Sequence, residues 1–364
     1  MDVLFRSARP YSMICFINSI RRFGMHGGLK PTLSDVAKHA RVSTATVSRC
    51  LNMPDQVREE TRARVEAAVA ELGYTPHFGG RALASNRTNT IGAVIPTMDN
   101  AIFARGVQVL EEELSVRDIT LLIATSDYDV DREKSKIRAL LGRGVDGLIL
   151  VGESRPPEVY DLLNANGVPF VLVWTYSGRC PYPCVGFDNR RAAYAMARHV
   201  LSLEHREVAM ISGLTVWNDR ASQRVQGVRK ALEEHGLALP PERLVQAGYT
   251  LESAAEAAED LVDLPTRPTA IICGNDVQAA GALKGLRRSG LRVPEDVSVT
   301  GFDDIELAHA VTPALTTVHV PHRRMGVAAA DLLHRMIGGA LPGEGIVFET
   351  KIVERESLAR VSDE

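Results

Sequence analysis

Two sets of residues in this chain carry groups that could do recognition chemistry. The first set stands at the ends of apolar runs. It comprises Phe103 after IGAVIP, Trp174 closing FVLVW, Asp188 in VGFDN, Asn275 and Asp276 in CGND, and Asp303 and Asp304 in GFDD, with Arg220 and Arg224 in NDRASQR. Carboxylates and amides can hold hydroxyls through paired hydrogen bonds, and a guanidinium gives a forked donor. An aromatic face can stack on the C–H side of a sugar ring. The carboxylates have a competing role, because Asp188 and Asp276 directly precede helical segments and could cap them. The second set lies in LSDVAKHARVSTATVSRCLN, residues 33–52, where helical spacing puts Thr44, Ala45, Ser48 and Arg49 opposite Val47 and Leu51. Such a face can enter the major groove of DNA. Arg49 can bond a guanine edge twice, while Thr46, Ser48 and Asn52 can hold phosphates. A helical hairpin with a solvated polar face would show the same pattern.

The rest of the sequence excludes several classes. No phosphate-binding glycine loop, no HExxH and no nucleophile elbow is present, so neither an enzyme nor a cofactor is expected. Cys15, Cys50, Cys180, Cys184 and Cys273 form no disulfide framework. Cys180 and Cys184 lack a second pair and nearby histidines, which argues against a zinc site and for reduced thiols in a cytoplasmic protein. No stretch approaches the roughly 18 apolar residues of a membrane span. The segment SMICFINSI (12–20) runs into Arg21 and Arg22 rather than a cleavage site, so export is not expected. The net charge of −3 is unevenly spread: residues 1–90 hold 13 Lys and Arg against 7 Asp and Glu, the remainder 29 against 38. A basic head on an acidic body suits a chain whose first part meets phosphate.

The elements that must position these groups fall into four regions. Residues 1–30 show no sustained period and read as a poorly ordered tail, with Met25 offering an alternative start. Residues 31–77 predict three short helices: Leu33–Ala40 capped by Thr32, Thr44–Leu51 capped by Ser43, and Glu59–Leu72 closed by Gly73, with Val42 in the corner. Residues 78–90 are polar and glycine-rich and read as a linker. From residue 91 to 364, apolar runs alternate with amphipathic segments. That pattern indicates parallel sheets covered on both faces, and about ten strands fit two doubly wound lobes with a cleft between them. Chain crossings between the lobes are expected near 189, 305–310 and 320.

With the D-V-A…V-S…T-V-S-R…L-N run in view, residues 31–84 resemble the DNA-binding head of the lactose-repressor/galactose-repressor (LacI/GalR) family. The likeness continues through RALASNRTNTIGAVIP to the VERES segment. It implies a helix-turn-helix head joined to a two-lobed, periplasmic-binding-protein-like α/β domain. The implied activity is that of a repressor, a homodimer on pseudo-palindromic operator DNA controlled by a small-molecule effector. It also implies that Thr44, Ala45 and Arg49 read bases and that Arg58 and Thr61 support the backbone. Leu83, with Ala84 beside it, would wedge into the minor groove. Phe103, Asp188, Arg224, Asn275 and Asp303 fall on effector-cleft positions of the family, and Asp276 and Asp304 read as caps or braces. His77, Gly79 and Gly80 depart from the family pattern, and the two glycines predict a hinge helix that is unformed without DNA. Trp174 and Trp217 also depart, although both are expected near the cleft. A sugar or sugar acid is the expected effector, with Arg190, Arg191, Arg220 and Arg224 favouring an acid. A nucleobase corepressor or a partner protein are the alternatives.

Overall fold

The structure, a computed structural model, describes residues 30–75 and 87–361. Most of the expected tail and linker, including Leu83, Ala84 and the hinge glycines, lies outside the described residues. The chain divides into two units between Asn86 and Arg87.

The first unit is built from α1 (Leu33–Ala40), α2 (Thr44–Asn52) and α3 (Glu59–Leu72). Thr32 accepts from the Asp35 amide at 3.3 Å while the Asp35 carboxylate accepts from the Thr32 amide at 2.9 Å, a reciprocal cap that fixes where α1 begins. Arg41, at φ 54°, ends it in the left-handed region. Ser43 accepts from the Thr46 amide at 3.1 Å and starts α2, and Gly73, at φ 59°, closes α3. Val36, Ala37, Val47, Cys50, Val65 and Ala68 form the core, with Val42 packed at the corner. Arg64 donates to the Ala40 carbonyl at 2.9 Å, tying α3 to an otherwise orphaned helix end.

The second unit holds two parallel sheets. In the first lobe, β1 (Thr90–Ile95), β2 (Thr120–Thr125), β3 (Gly147–Val151), β4 (Phe170–Val173), β5 (Cys184–Gly186) and β11 (Ile346–Val347) run in the order β11-β5-β4-β3-β1-β2. In the second lobe, β6 (Val208–Ser212), β7 (Leu244–Gln246), β8 (Ala270–Cys273) and β9 (Ser298–Thr300) run β7-β6-β8-β9. Strands β1, β3, β4, β6 and β8 are buried at every position, which is why each reads as a continuous apolar run. β2 corrects that expectation. It sits at the sheet edge and is half-exposed along its length.

The intervening helices are α4 (Ala101–Ser115), α5 (Val130–Gly142), α6 (Pro157–Asn166), α7 (Asn189–Ser202), α8 (Asp219–Glu233), α9 (Leu251–Val262), α10 (Asp276–Arg288), α11 (Glu306–Ala310) and α12 (His322–Ile337). The chain passes between lobes after β5 and before α12, near two of the expected crossings. The crossing expected at 305–310 is not there, because α11 packs on α10 of the second lobe. The last passage is instead made by β12 (Lys351–Val353), paired antiparallel with β10 (Thr317–His319). The chain then returns to β9, where the Val299 amide donates to the Ser357 carbonyl at 2.7 Å.

Helices α7 and α8 meet through Gly227. A Cβ there would lie 2.2 Å from the Arg190 carbonyl oxygen, which is backbone and cannot swing aside. Gly227→Ala is therefore expected to cost about 3 kcal/mol by overpacking. A thermal melt should fall by about 2–4 °C for each kcal/mol in a domain of this size, and an unchanged melt would show that the helices part freely.

Candidate DNA-reading helix and ligand cleft

In the head, α2 has two faces. Val47 and Cys50 are buried and Leu51 partly so, while Thr44, Ala45 and Arg49 are exposed on the other side. Thr46 and Ser48 are half-exposed. The Thr46 hydroxyl is 2.8 Å from that of Ser43, so it belongs to the start of the helix and is not a group held out to solvent alone. Asn52 is the last residue of α2, and Arg58, exposed, precedes α3, with Thr61 half-buried in its first turn. The sequence thus places three side chains, Thr44, Ala45 and Arg49, on one open face of a helix anchored by its opposite face. Leu83 and Ala84 lie outside the described residues.

In the second unit, Phe103, Trp174, Arg220, Arg224, Asn275 and Asp303 line one cavity, together with Tyr128 and Tyr249. It encloses about 30 Å³, room for no more than a couple of waters. The two tyrosines, one from each lobe, stand 5.2 Å apart and close it. Arg224 is the best-anchored group. Its guanidinium lies 3.7 Å over the Phe302 ring, its Nε donates to Asn189 at 2.9 Å, its Nη1 donates to the Gly274 carbonyl, and its Nη2 is 3.6 Å from Asp303. Arg220 sits beside it and is ion-paired with Asp219 at 3.0 Å.

Two buried polar atoms in this cavity have no hydrogen-bond partner, the Trp174 indole Nε1 and Asp303 Oδ1. Trp174 sits edge-on to Phe103 at 5.6 Å with φ 60°. Its ring fills the space that a side chain at position 106 would need, since a Cβ on Gly106 would come within 2.3 Å of it. Asp303, at φ 108°, is held in a strained backbone region. Burial pushes its carboxyl up to about 7, against the pull of the Arg224 and Arg220 charges.

Other expected members sit elsewhere. Asp188 caps α7, accepting from the Arg191 amide at 2.8 Å. It lines a more open groove of about 460 Å³ along α8 with Glu153, Arg190, Thr215 and Gln223. Asn275, not Asp276, caps α10. Asp276 is a brace, accepting from the Ile305 amide at 2.8 Å and from the Thr317 hydroxyl, and burial followed by the nearby Asp303 charge raises its carboxyl to about 8. Asp304 braces Arg355 and His319. Trp217 is 49% exposed and does not line the cavity, so Trp174 alone reports on it. Arg191 is exposed against Glu349, and Arg220 is neutralised by Asp219, which removes most of the excess cation expected of the cleft. Tyr128, Tyr249 and Asp219 were not legible as site residues. Asp219 alone gave a signal, standing directly before Arg220.

Residues 32–77 match the family model of bacterial regulatory proteins of the lacI family, and residues 197–358 that of the periplasmic binding protein-like domain. The chain is 34% identical to the HTH-type transcriptional repressor PurR of Proteus mirabilis, over 90% of this chain and 97% of that protein. A LacI-family transcriptional regulator from Silicibacter pomeroyi superposes with a TM-score of 0.83 at 28% identity, covering 91% of this chain and all of the other. The lac repressor dimer bound to operator and an anti-inducer gives 0.80 at 26% identity, again over 91% of this chain and 100% of that one. Among the described residues, no helix is long and apolar enough to cross a membrane.

Proposed function

Since the chain belongs to the LacI family of bacterial transcription regulators, we propose that it is a repressor whose grip on a pseudo-palindromic operator, as a homodimer, is set by a small polar molecule held at Arg224 and Asp303. Thr44, Ala45 and Arg49 read bases, with Thr46, Ser48, Asn52, Arg58 and Thr61 against the phosphates. Leu83 and Ala84 act at the operator centre.

The observation that carries the ligand reading is a pair of buried atoms without a hydrogen bond, Trp174 Nε1 and Asp303 Oδ1, lining one cavity between the lobes. A buried polar group left unsatisfied costs about 1–3 kcal/mol, so a molecule that accepts from one and donates to the other recovers that cost on binding. A sugar or sugar derivative does both through its hydroxyls. A planar nucleobase is the second reading, favoured by the aromatic lining of Phe103, Tyr128, Trp174 and Tyr249. Either ligand needs the lobes to part, and DNA must change its affinity by the factor by which it changes that of DNA.

Titrating the protein with sugars, sugar acids, phosphosugars and nucleobases, with Trp174 fluorescence isolated by Trp217→Phe, separates these readings. A saturable change that also shifts operator binding names the class, and its direction distinguishes inducer from corepressor. No response from a folded, DNA-binding protein would count against a small-molecule effector of these classes.

The pH dependence follows from Asp303. A ligand that donates to its carboxylate favours the ionised form and lowers its pKa. Affinity is therefore expected to be flat above about pH 7 and to fall below it by up to tenfold per pH unit until the bound-state pKa is reached. Calorimetry between about pH 5.5 and 8 checks this, and Asp303→Asn should flatten the profile.

A further inference from the structure

Glu153, Cys180 and Cys184 form a second cluster outside the cavity described above. One ligand atom from each lies within 4.8 Å of the other two. Their sequence positions hide this, because Glu153 follows β3 while the cysteines flank the loop that enters β5. The parallel order β3-β4-β5 brings the strand ends together. The loop between the cysteines is fixed by its own packing. Tyr182 stacks on Tyr160 at 4.4 Å and 8° and leans on Phe170 at 5.0 Å, and its carbonyl accepts from the Cys184 thiol at 3.3 Å. Glu153 is held as well, accepting from Ser177 at 2.9 Å and from Gln223 at 3.1 Å.

We propose that Glu153, Cys180 and Cys184 bind one zinc-class cation through two thiolates and a carboxylate, with water from the adjoining groove in the fourth position. Sulfur and oxygen donors together suit a borderline-soft divalent ion rather than magnesium or calcium. A tetrahedral zinc keeps its ligand atoms roughly 3.3–3.8 Å apart, so a small closing movement of the three groups completes the site. Cation binding releases the protons that the two thiols carry. Glu153 also bonds Gln223, the neighbour of Arg224 on α8, so the cation and lobe closure share one side chain.

The test uses the full-length chain, reduced and stripped with a chelator, its thiols counted before titration with cobalt(II). One cobalt per chain is expected, with tetrahedral ligand-field bands and a thiolate-to-cobalt charge-transfer band, and zinc should displace it. Cys180→Ser should lose most of the charge-transfer intensity. Glu153→Gln should keep that band but bind roughly tenfold or more weakly. Cys180 is only half-buried, so its variant should fold, and circular dichroism checks that it does. Fully reduced protein that takes up no cobalt overturns the proposal. So does uptake whose affinity and charge-transfer band are unchanged in both Cys180→Ser and Glu153→Gln.

Discussion

Arg224→Ala is expected to weaken effector binding by at least about 100-fold and to destabilise the two-lobed unit by about 3 kcal/mol, while the head keeps its DNA-reading helix intact. The first effect follows from what the guanidinium does. It is gripped by Asn189, the Gly274 carbonyl and the Phe302 ring, and it faces Asp303 at the centre of the cavity. A fork that is already fixed loses little freedom when it meets a ligand. The second effect follows from what truncation leaves behind: a buried carboxylate without its counter-charge and two acceptors without a donor. Breaking a buried pair in this way costs about 3–5 kcal/mol, and the lower end applies because Arg220 remains near Asp303. Arg224→Lys separates the two effects. It keeps the charge and much of the stability, but a point charge cannot reproduce the fork, so effector affinity should still fall. Thermal melts and fluorescence titrations of both variants read this directly. Wild-type affinity in a folded Arg224→Ala protein would move the ligand to the open groove beside Asp188.

What the sequence made legible divides along a physical line. The head could be read almost residue by residue because its boundaries are local: Thr32, Ser43 and Gly73 each terminate or start a helix through bonds to residues three or four away. Strands buried on both faces announced themselves as apolar runs. The three-residue strands β5, β7, β10 and β12 did not, since three residues are too few to show a period. Phe103, Trp174, Asn275 and Asp303, read from strand ends, and Arg224, read from a helix start, line one cavity. Asp188 caps α7 and lines the neighbouring groove instead of this cavity, because a carboxylate at a strand end serves a helix cap as readily as a ligand, and spacing cannot tell the two apart. Tyr128 and Tyr249 were invisible, because they meet only when the lobes approach. The Glu153–Cys180–Cys184 grouping was invisible for a related reason: it depends on strand order, which no local pattern records.

The same division bears on how ligand and DNA could communicate. Arg224 and Asp303 belong to the second unit, and α2, which the proposed function sets against DNA, to the first. Under two-state linkage, a ligand can shift operator affinity only by the ratio of its affinities for the open and closed lobes. Substitutions in the cleft should therefore change the effector response with little effect on intrinsic DNA affinity, and substitutions on α2 the reverse.

Arg49→Ala is the sharpest case on the DNA side. Arg49 is exposed on α2, opposite the Val47 and Cys50 anchors, so its loss should leave the head's melting unchanged. If the side chain reads a guanine edge, the variant should bind its selected operator about 5–150-fold more weakly. Discrimination should relax at one base-pair position in each half-site, and the salt dependence of binding should be preserved. If it instead neutralises a phosphate, binding should weaken evenly across sequences, and the slope of log affinity against log salt should shrink by about 1. Selection of operators from a random pool, followed by anisotropy titrations at several salt concentrations, distinguishes the two. Arg49→Lys strengthens the distinction, because lysine can replace a phosphate contact but not a bidentate guanine contact without loss. Unchanged affinity, specificity and salt slope together would remove Arg49 from the interface and leave recognition to Thr44 and Ala45, whose short side chains can reach bases only if the helix lies deep in the groove.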